Sequence, residues 1–154
     1  MTTLTKLLEQ AEKAEGPDRE LDVAIAIVLR VPHPKLLRAT TLSDWRPIEE
    51  LPGTIQTYWP NGYTAASWLS QKYTSSLDAA IALTEALLPG WSYGIDVTQL
   101  TYPNRAWVGC PEQVSYDDEI VWQAEHMAST SLALIAATIK AKLAQQEKPD
   151  EQAG

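Results

Sequence analysis

Five prolines between residues 31 and 72, namely Pro32, Pro34, Pro47, Pro52 and Pro60, rule out any long regular element across that stretch. Each lacks a backbone N–H and fixes its own φ, so neither a helix interior nor a central strand runs through it. Long helices are therefore confined to the flanks, and the middle is left to short strands, turns and loops. Thr54-Ile55-Gln56-Thr57-Tyr58-Trp59 is rich in β-branched and aromatic residues and reads as a strand. Pro60-Asn61-Gly62 is a turn signal, and Tyr63 to Leu69 reads as a second strand or a short helix. A connection this long is expected to hold sheet edges or a functional loop.

The flanks carry helical spacing. Leu4, Leu7, Leu8 and Ala11 place an amphipathic helix over residues 3–14. After Gly16, Pro17 suits the first turn of a second helix, whose buried stripe is Leu21, Ile25, Val28 and Leu29 and which Pro32 and Pro34 end. Ser75 with Asp78 predicts the start of a third helix, with Leu77, Ile81, Leu87 and Leu88 on its apolar face and Pro89-Gly90 ending it. Trp91 to Val97 and Ala106 to Cys110 read as a hairpin turning near Tyr102-Pro103-Asn104. Asp117-Asp118-Glu119 reads as an exposed acidic patch, followed by the short apolar group Ile120-Val121-Trp122. A last helix runs from near Ser129 to about Gln146, with Leu132, Ile135, Ala136, Ile139 and Leu143 as its stripe. The expected class is α/β of the α+β type. About four helices are layered with a small, mainly antiparallel sheet in an α-β-α sandwich. One domain is expected over 1–148, with a disordered tail at 149–154.

Composition narrows the function classes. No apolar run approaches the roughly 20 residues that span a bilayer, and the first residues lack a secretory pattern, so no membrane partner is expected. A lone cysteine, Cys110, fits a reducing cytoplasm. A net charge of −8 without a basic block argues against duplex nucleic acid, although two or three arginines suffice for one small anion. Six Trp, six Tyr and no Phe give every aromatic ring a hydrogen-bonding tip. Such rings suit interfaces and ligand walls as well as cores.

Three segments together resemble the phage ABA sandwich domain family. They are Gly16-Pro17-Asp18-Arg19-Glu20-Leu21-Asp22, Tyr73-Thr74-Ser75-Ser76-Leu77-Asp78-Ala79-Ala80 and Ala128-Ser129-Thr130-Ser131-Leu132-Ala133-Leu134. Their order spans residues 4–145, and Thr130-Ser131 stands where members often have Thr-Pro. The resemblance implies an α-β-α layered fold and a phage or prophage origin, and it implies no established catalytic activity. Small phage accessory proteins include some that sequester the nucleotide immune signals of the host.

The side-chain inventory points to binding over catalysis. His33, His126 and Cys110 lie in no metal-ligand spacing, so no metal or cofactor is expected. Ser75, Ser76 and Ser129 sit at helix starts, where capping accounts for them, and no motif ties them to a histidine. No phosphate-binding glycine loop occurs. Arg19 sits in a helix's first turn, where the macrodipole disfavours a cation, so it either pairs with Glu15 or Asp22 or reaches a ligand. Arg38 and Arg46 flank Trp45, and Arg105 is close to Trp107, as in sites that stack a base and neutralise a phosphate. Helix N-termini with hydroxyls, at Tyr73-Thr74-Ser75-Ser76, offer phosphate amides. The candidate ligand-binding set is therefore Arg19, Trp45, Arg46, Trp59, Tyr73, Thr74, Ser76, Arg105 and Trp107. The leading expectation is a homo-oligomeric, non-catalytic protein that sequesters a small nucleotide-derived molecule. The alternatives are a module that binds a host or phage protein and, third, a phosphodiesterase-like enzyme.

Overall fold

The long helices of this chain start at polar side chains that take up free N–H groups. Our structure, a computed structural model, describes residues 3–33, 35–96, 104–110, 121–126 and 129–147. Thr3 caps α1 (Leu4–Lys13) by accepting the Lys6 N–H, and Leu4, Leu7 and Ala11 form its buried face. Asp18 caps α2 (Arg19–Leu29) by accepting from Glu20 and Leu21. The helix ends at Arg30, whose left-handed backbone (φ 52°) turns its N–H back onto Ala26 and Ile27.

The proline-broken stretch then gives a short helix, α3 (Leu37–Thr41), and three strands: β1 (Asp44–Pro47), β2 (Thr54–Tyr58) and β3 (Thr64–Leu69). They form an antiparallel sheet in the order β1-β2-β3, with Trp45 opposite Thr57 and Ile55 opposite Trp68. Pro47 ends β1, which lies at the sheet edge, where a missing N–H costs no ladder bond. The β2–β3 register slips between Gln56 and Tyr58, and buried Thr57 repairs the ladder there. Its Oγ1 donates to the Ala66 carbonyl at 2.7 Å and accepts the Ala66 N–H at 3.0 Å. Helix α2 packs on β1 and β2.

The second half contains α4 (Leu77–Leu87), β4 (Ser92–Asp96), β5 (Asn104–Gly109), β6 (Val121–His126) and α5 (Thr130–Glu147). The three strands make a second antiparallel sheet, ordered β4-β5-β6. Ala106 and Val108 of β5 and Ala124 and His126 of β6 are buried, alternating with exposed Arg105, Gln123 and Glu125. Helix α5 packs against this sheet, α1 and α4, and every residue from Leu132 to Ile139 is 0% exposed. A helix apolar on all sides is a core helix, so the expected one-sided stripe on α5 is corrected. Ala133, Ala137 and Ala141 let neighbouring elements close on the faces the stripe left out.

The α+β class is the one observed. In place of one small sheet the chain forms two three-stranded sheets, and the described residues hold five helices, α3 being the addition. Of the stretch from Tyr63 to Leu69, residues 64–69 form a strand, and Ser76, one residue later than expected, caps α4 by accepting the Ala79 N–H. Strands β1 and β6 lie where the sequence shows only broken or loop-like stretches. Asp117-Asp118-Glu119, Tyr102-Pro103 and the tail at 149–154 lie outside the described residues. Among the described residues no helix is long and apolar enough to cross a membrane.

Candidate functional site

Helix α2 carries more apolar surface than one core face needs. Leu21, Val23, Ile25 and Ala26 are buried in the core, while the half-buried Ala24, Ile27 and Val28 run at helical spacing along a neighbouring stripe that Val23 borders and the exposed Glu20 begins. That stripe forms one wall of a cleft of about 640 Å³. Trp45 and Pro47 of β1, with Ile48, Pro52 and Gly53 of the β1–β2 connection, form the other. Ligand clefts run to about 300–1,000 Å³ with mainly apolar walls, and this one falls in that range.

Trp45 is fixed from three sides. Its Nε1 donates to the Thr40 carbonyl at 3.1 Å, its ring meets Trp68 edge-on with centroids 5.2 Å apart, and Arg30 lies over it at 5.0 Å. Arg30 also donates to the Ser43 carbonyl at 2.9 Å, which holds the guanidinium in place with its positive charge unpaired by any carboxylate among the described residues. The remaining charged groups of the walls are the exposed carboxylates Glu20, Asp44 and Glu49. Asp44 pairs with Arg46 at 3.0 Å, but both side chains are more than half exposed, so solvent screens the pair. Glu20 and Glu49 make no side-chain ion pair among the described residues.

The far lip of the cleft is held by a polar clasp. Arg19 Nη1 donates to Asp22 Oδ2 at 2.8 Å, and its Nη2 donates to the Ser70 carbonyl at 2.9 Å. The guanidinium lies over Gly53, whose φ of +85° and missing Cβ both admit it. Asp22, 1% exposed, also accepts the Thr74 N–H on Oδ1 at 2.8 Å, and Thr74 Oγ1 accepts the Asp18 N–H at 2.8 Å. Two segments of the family resemblance thus meet here and tie the α2 N-terminus to β3–α4. Arg19 therefore follows the Asp22-pairing alternative, with a buried acid as partner, and it acts on the cleft by positioning Gly53.

The other sequence candidates are dispersed. Thr74 belongs to the clasp, and Tyr73 is buried beside it. Burial, and then the Asp22 charge, push the Tyr73 hydroxyl up to about 12. Tyr73 lines a second recess of about 260 Å³, with His33, Trp68 and Leu83. Ser76 is a helix cap, and Trp59 donates its backbone N–H to Tyr63 in the β2–β3 turn. Arg46 lies over Tyr58 at 4.9 Å on the exposed side of the first sheet. Arg105 pairs with Glu125 at 3.0 Å on the second sheet, and the neighbouring Trp107 ring covers Gly94. Of the nine, Trp45 alone lines the larger cleft and Tyr73 alone the smaller. The wall residues Val23, Ala24, Ile27 and Ile48 escaped the sequence reading, and Val28, read there as part of the buried stripe, is half-buried on the cleft wall; the second apolar stripe of α2 was the signal for them.

Among the described residues no group of three or more His, Cys, Asp and Glu side chains is placed to hold a metal ion. The chain matches no family model, no curated protein and no solved structure.

Proposed function

We propose that this protein is a non-catalytic binding module whose ligand enters the cleft between α2 and the β1–β2 connection. One observation carries the reading: an apolar recess of about 640 Å³, walled by α2 and Trp45, stands open beside a well-packed core. Apolar surface of this kind gains free energy when a ligand covers it, at roughly 25 cal/mol per Å². The clasp of Arg19, Asp22 and Thr74 supports the same reading, because it holds one lip of the recess in place without entering it.

Between the two binding hypotheses, the wall chemistry favours a protein partner over a nucleotide-derived molecule. A phosphate in this cleft would meet the exposed carboxylates Glu20 and Glu49, and of the arginines Arg30 alone lines it, held against Trp45 and the Ser43 carbonyl. The Trp45 ring is 4% exposed, which leaves little face for a base to stack on. The resemblance to phage ABA sandwich proteins, read from the sequence alone, implies no established catalytic activity and is compatible with a binding role.

The test is a titration with small neutral aromatic and aliphatic fragments, followed through the methyl resonances of Val23, Ile27, Val28 and Ile48. Fragments that shift these signals as a group support the reading. A folded protein in which no fragment moves them refutes it.

A further inference from the structure

We infer that the occupant of the cleft is the apolar C-terminal segment of a partner protein, whose terminal carboxylate lies against Arg30. This inference rests on the binding reading above and adds the chemistry of the partner.

Among the described residues Arg30 is the one cation that lines the cleft, and it pairs with no carboxylate. The Ser43 carbonyl takes its Nη1 at 2.9 Å, and the guanidinium lies over the Trp45 ring at 5.0 Å. These contacts hold the side chain and leave Nε and Nη2 without a hydrogen-bond partner among the described residues. A guanidinium held this way offers a planar fork that meets a carboxylate in two parallel bonds. Of the carboxylates on the walls, Asp44 is paired with Arg46 at 3.0 Å, whereas Glu20 and Glu49 make no ion pair among the described residues. A single negative charge is therefore balanced at Arg30, and any further anion faces Glu20 or Glu49. Arg30 also stands where α2 stops, just beyond the half-buried stripe Ala24, Ile27 and Val28. From Ala24 to Arg30 the helix advances about 9 Å, the reach of three extended residues at about 3.3 Å each. Three apolar residues laid along the stripe thus bring a chain end to the guanidinium. A chain that ran on would leave the apolar wall, and an α-carboxylate sits directly behind its apolar neighbours without a side-chain stem.

The probes are three acetylated peptides and one simple acid: Gly-Leu-Val-Leu with a free carboxylate, the same peptide as its amide, Leu-Val-Leu-Glu-Gly amide, and decanoate. Affinities are measured by NMR titration of the full chain and of Arg30→Gln. Arg30 is exposed, and glutamine enters the left-handed backbone there on the same terms as arginine. The free-acid peptide should bind at the cleft about fivefold tighter than its amide. Arg30→Gln should bind the two alike, with the affinity of the amide unchanged. Raising the salt from about 0.05 to 0.5 M should narrow the gap in the wild type. The glutamate peptide and decanoate should both bind more weakly than the free-acid peptide.

Equal affinity of the wild type for acid and amide, or none for either, overturns the inference. So does a preference for the acid that survives Arg30→Gln. Should that variant not fold, the wild-type comparison of acid with amide and its salt dependence decide alone. A glutamate peptide that binds as tightly as the free acid removes the chain end from the account, and decanoate that does so replaces the protein with a small acid; either result overturns it. Where neutral fragments still bind, these outcomes leave the cleft itself standing. Where fragments fail as well, the binding reading falls with the inference.

Discussion

The backbone N–H of Thr74 meets Asp22 Oδ1 at 2.8 Å, across 52 residues of sequence and inside the protein. The other oxygen of that carboxylate takes the Arg19 guanidinium, so one buried acid joins α2 to the β3–α4 connection. Asp22→Ala strands the Thr74 N–H and leaves Arg19 without its anion. Arg19 is 31% exposed, so water softens the second loss. The expected cost is about 2–4 kcal/mol in urea denaturation. Asp22→Asn, which keeps one acceptor, should cost about half as much.

Tyr73 makes stability fall at alkaline pH. Its hydroxyl, pushed up to about 12 in the folded protein by burial and then by the Asp22 charge, ionises near 10 in the unfolded chain. Between those values the unfolded state releases the proton first, so the contribution is complete below pH 10 and is lost as pH rises towards 12. Comparing urea midpoints of the wild type and Tyr73→Phe from pH 9 to 12 isolates this group from the lysines. The wild type should lose about 2–3 kcal/mol more than the variant, since each pKa unit corresponds to about 1.4 kcal/mol.

The four long helices were legible because Leu7, Leu21, Ile81 and Ile135 recur with apolar neighbours at helical spacing and their caps lie beside them in the chain, although the face α4 buries is Ala80, Leu83 and Thr84. Strand β1 was hidden because it has one buried residue, Trp45, and ends at a proline. Strand β6 was hidden behind the acidic run, although Ala124 and His126 do alternate with Gln123 and Glu125. The one-sided reading of α5 failed because alanines carry little hydrophobic signal, even though burying Ala133 and Ala137 is what lets the helix sit in the core. The cleft was not legible at all. It joins residues 20–30 to residues 44–54 without any local motif, and arginines with free-looking charges in the sequence turn out to hold carbonyls, carboxylates and rings.

Gly94 and Trp107 pair across β4 and β5, and the indole lies where a Cβ on residue 94 would be. Gly94→Ala should displace the ring and cost about 1–3 kcal/mol. With Trp107→Ala in the background, the same substitution should cost much less, giving a coupling of about 1 kcal/mol in a double-mutant cycle. Strict additivity would mean that the ring is not packed on the glycine.

Thr84 and Thr138 join α4 to α5 through their hydroxyls, 2.9 Å apart, and each hydroxyl also lies within hydrogen-bond reach of a carbonyl one turn back. Two protons serve three contacts, so only one of the carbonyl bonds persists while the hydroxyls bond each other. Thr84→Val or Thr138→Val alone should cost about 1 kcal/mol, because the bond between the helices is lost and the remaining hydroxyl keeps only the carbonyl of its own helix. The double valine variant should be nearly as stable as the wild type, because both polar groups leave together. Thermal denaturation of the four proteins decides it.

The central claim is that ligand enters between α2 and the β1–β2 connection, and one substitution closes that space. Ala24 lines the cleft from α2, half-buried, so Ala24→Trp fills the recess at a stability change within about 1 kcal/mol. The decisive measurement is the dissociation constant of the tightest cleft-binding probe, for wild type and for this variant, at equal stability. A loss of about tenfold or more is expected, because the apolar contacts are replaced by the protein's own indole. An unchanged constant would contradict the claim.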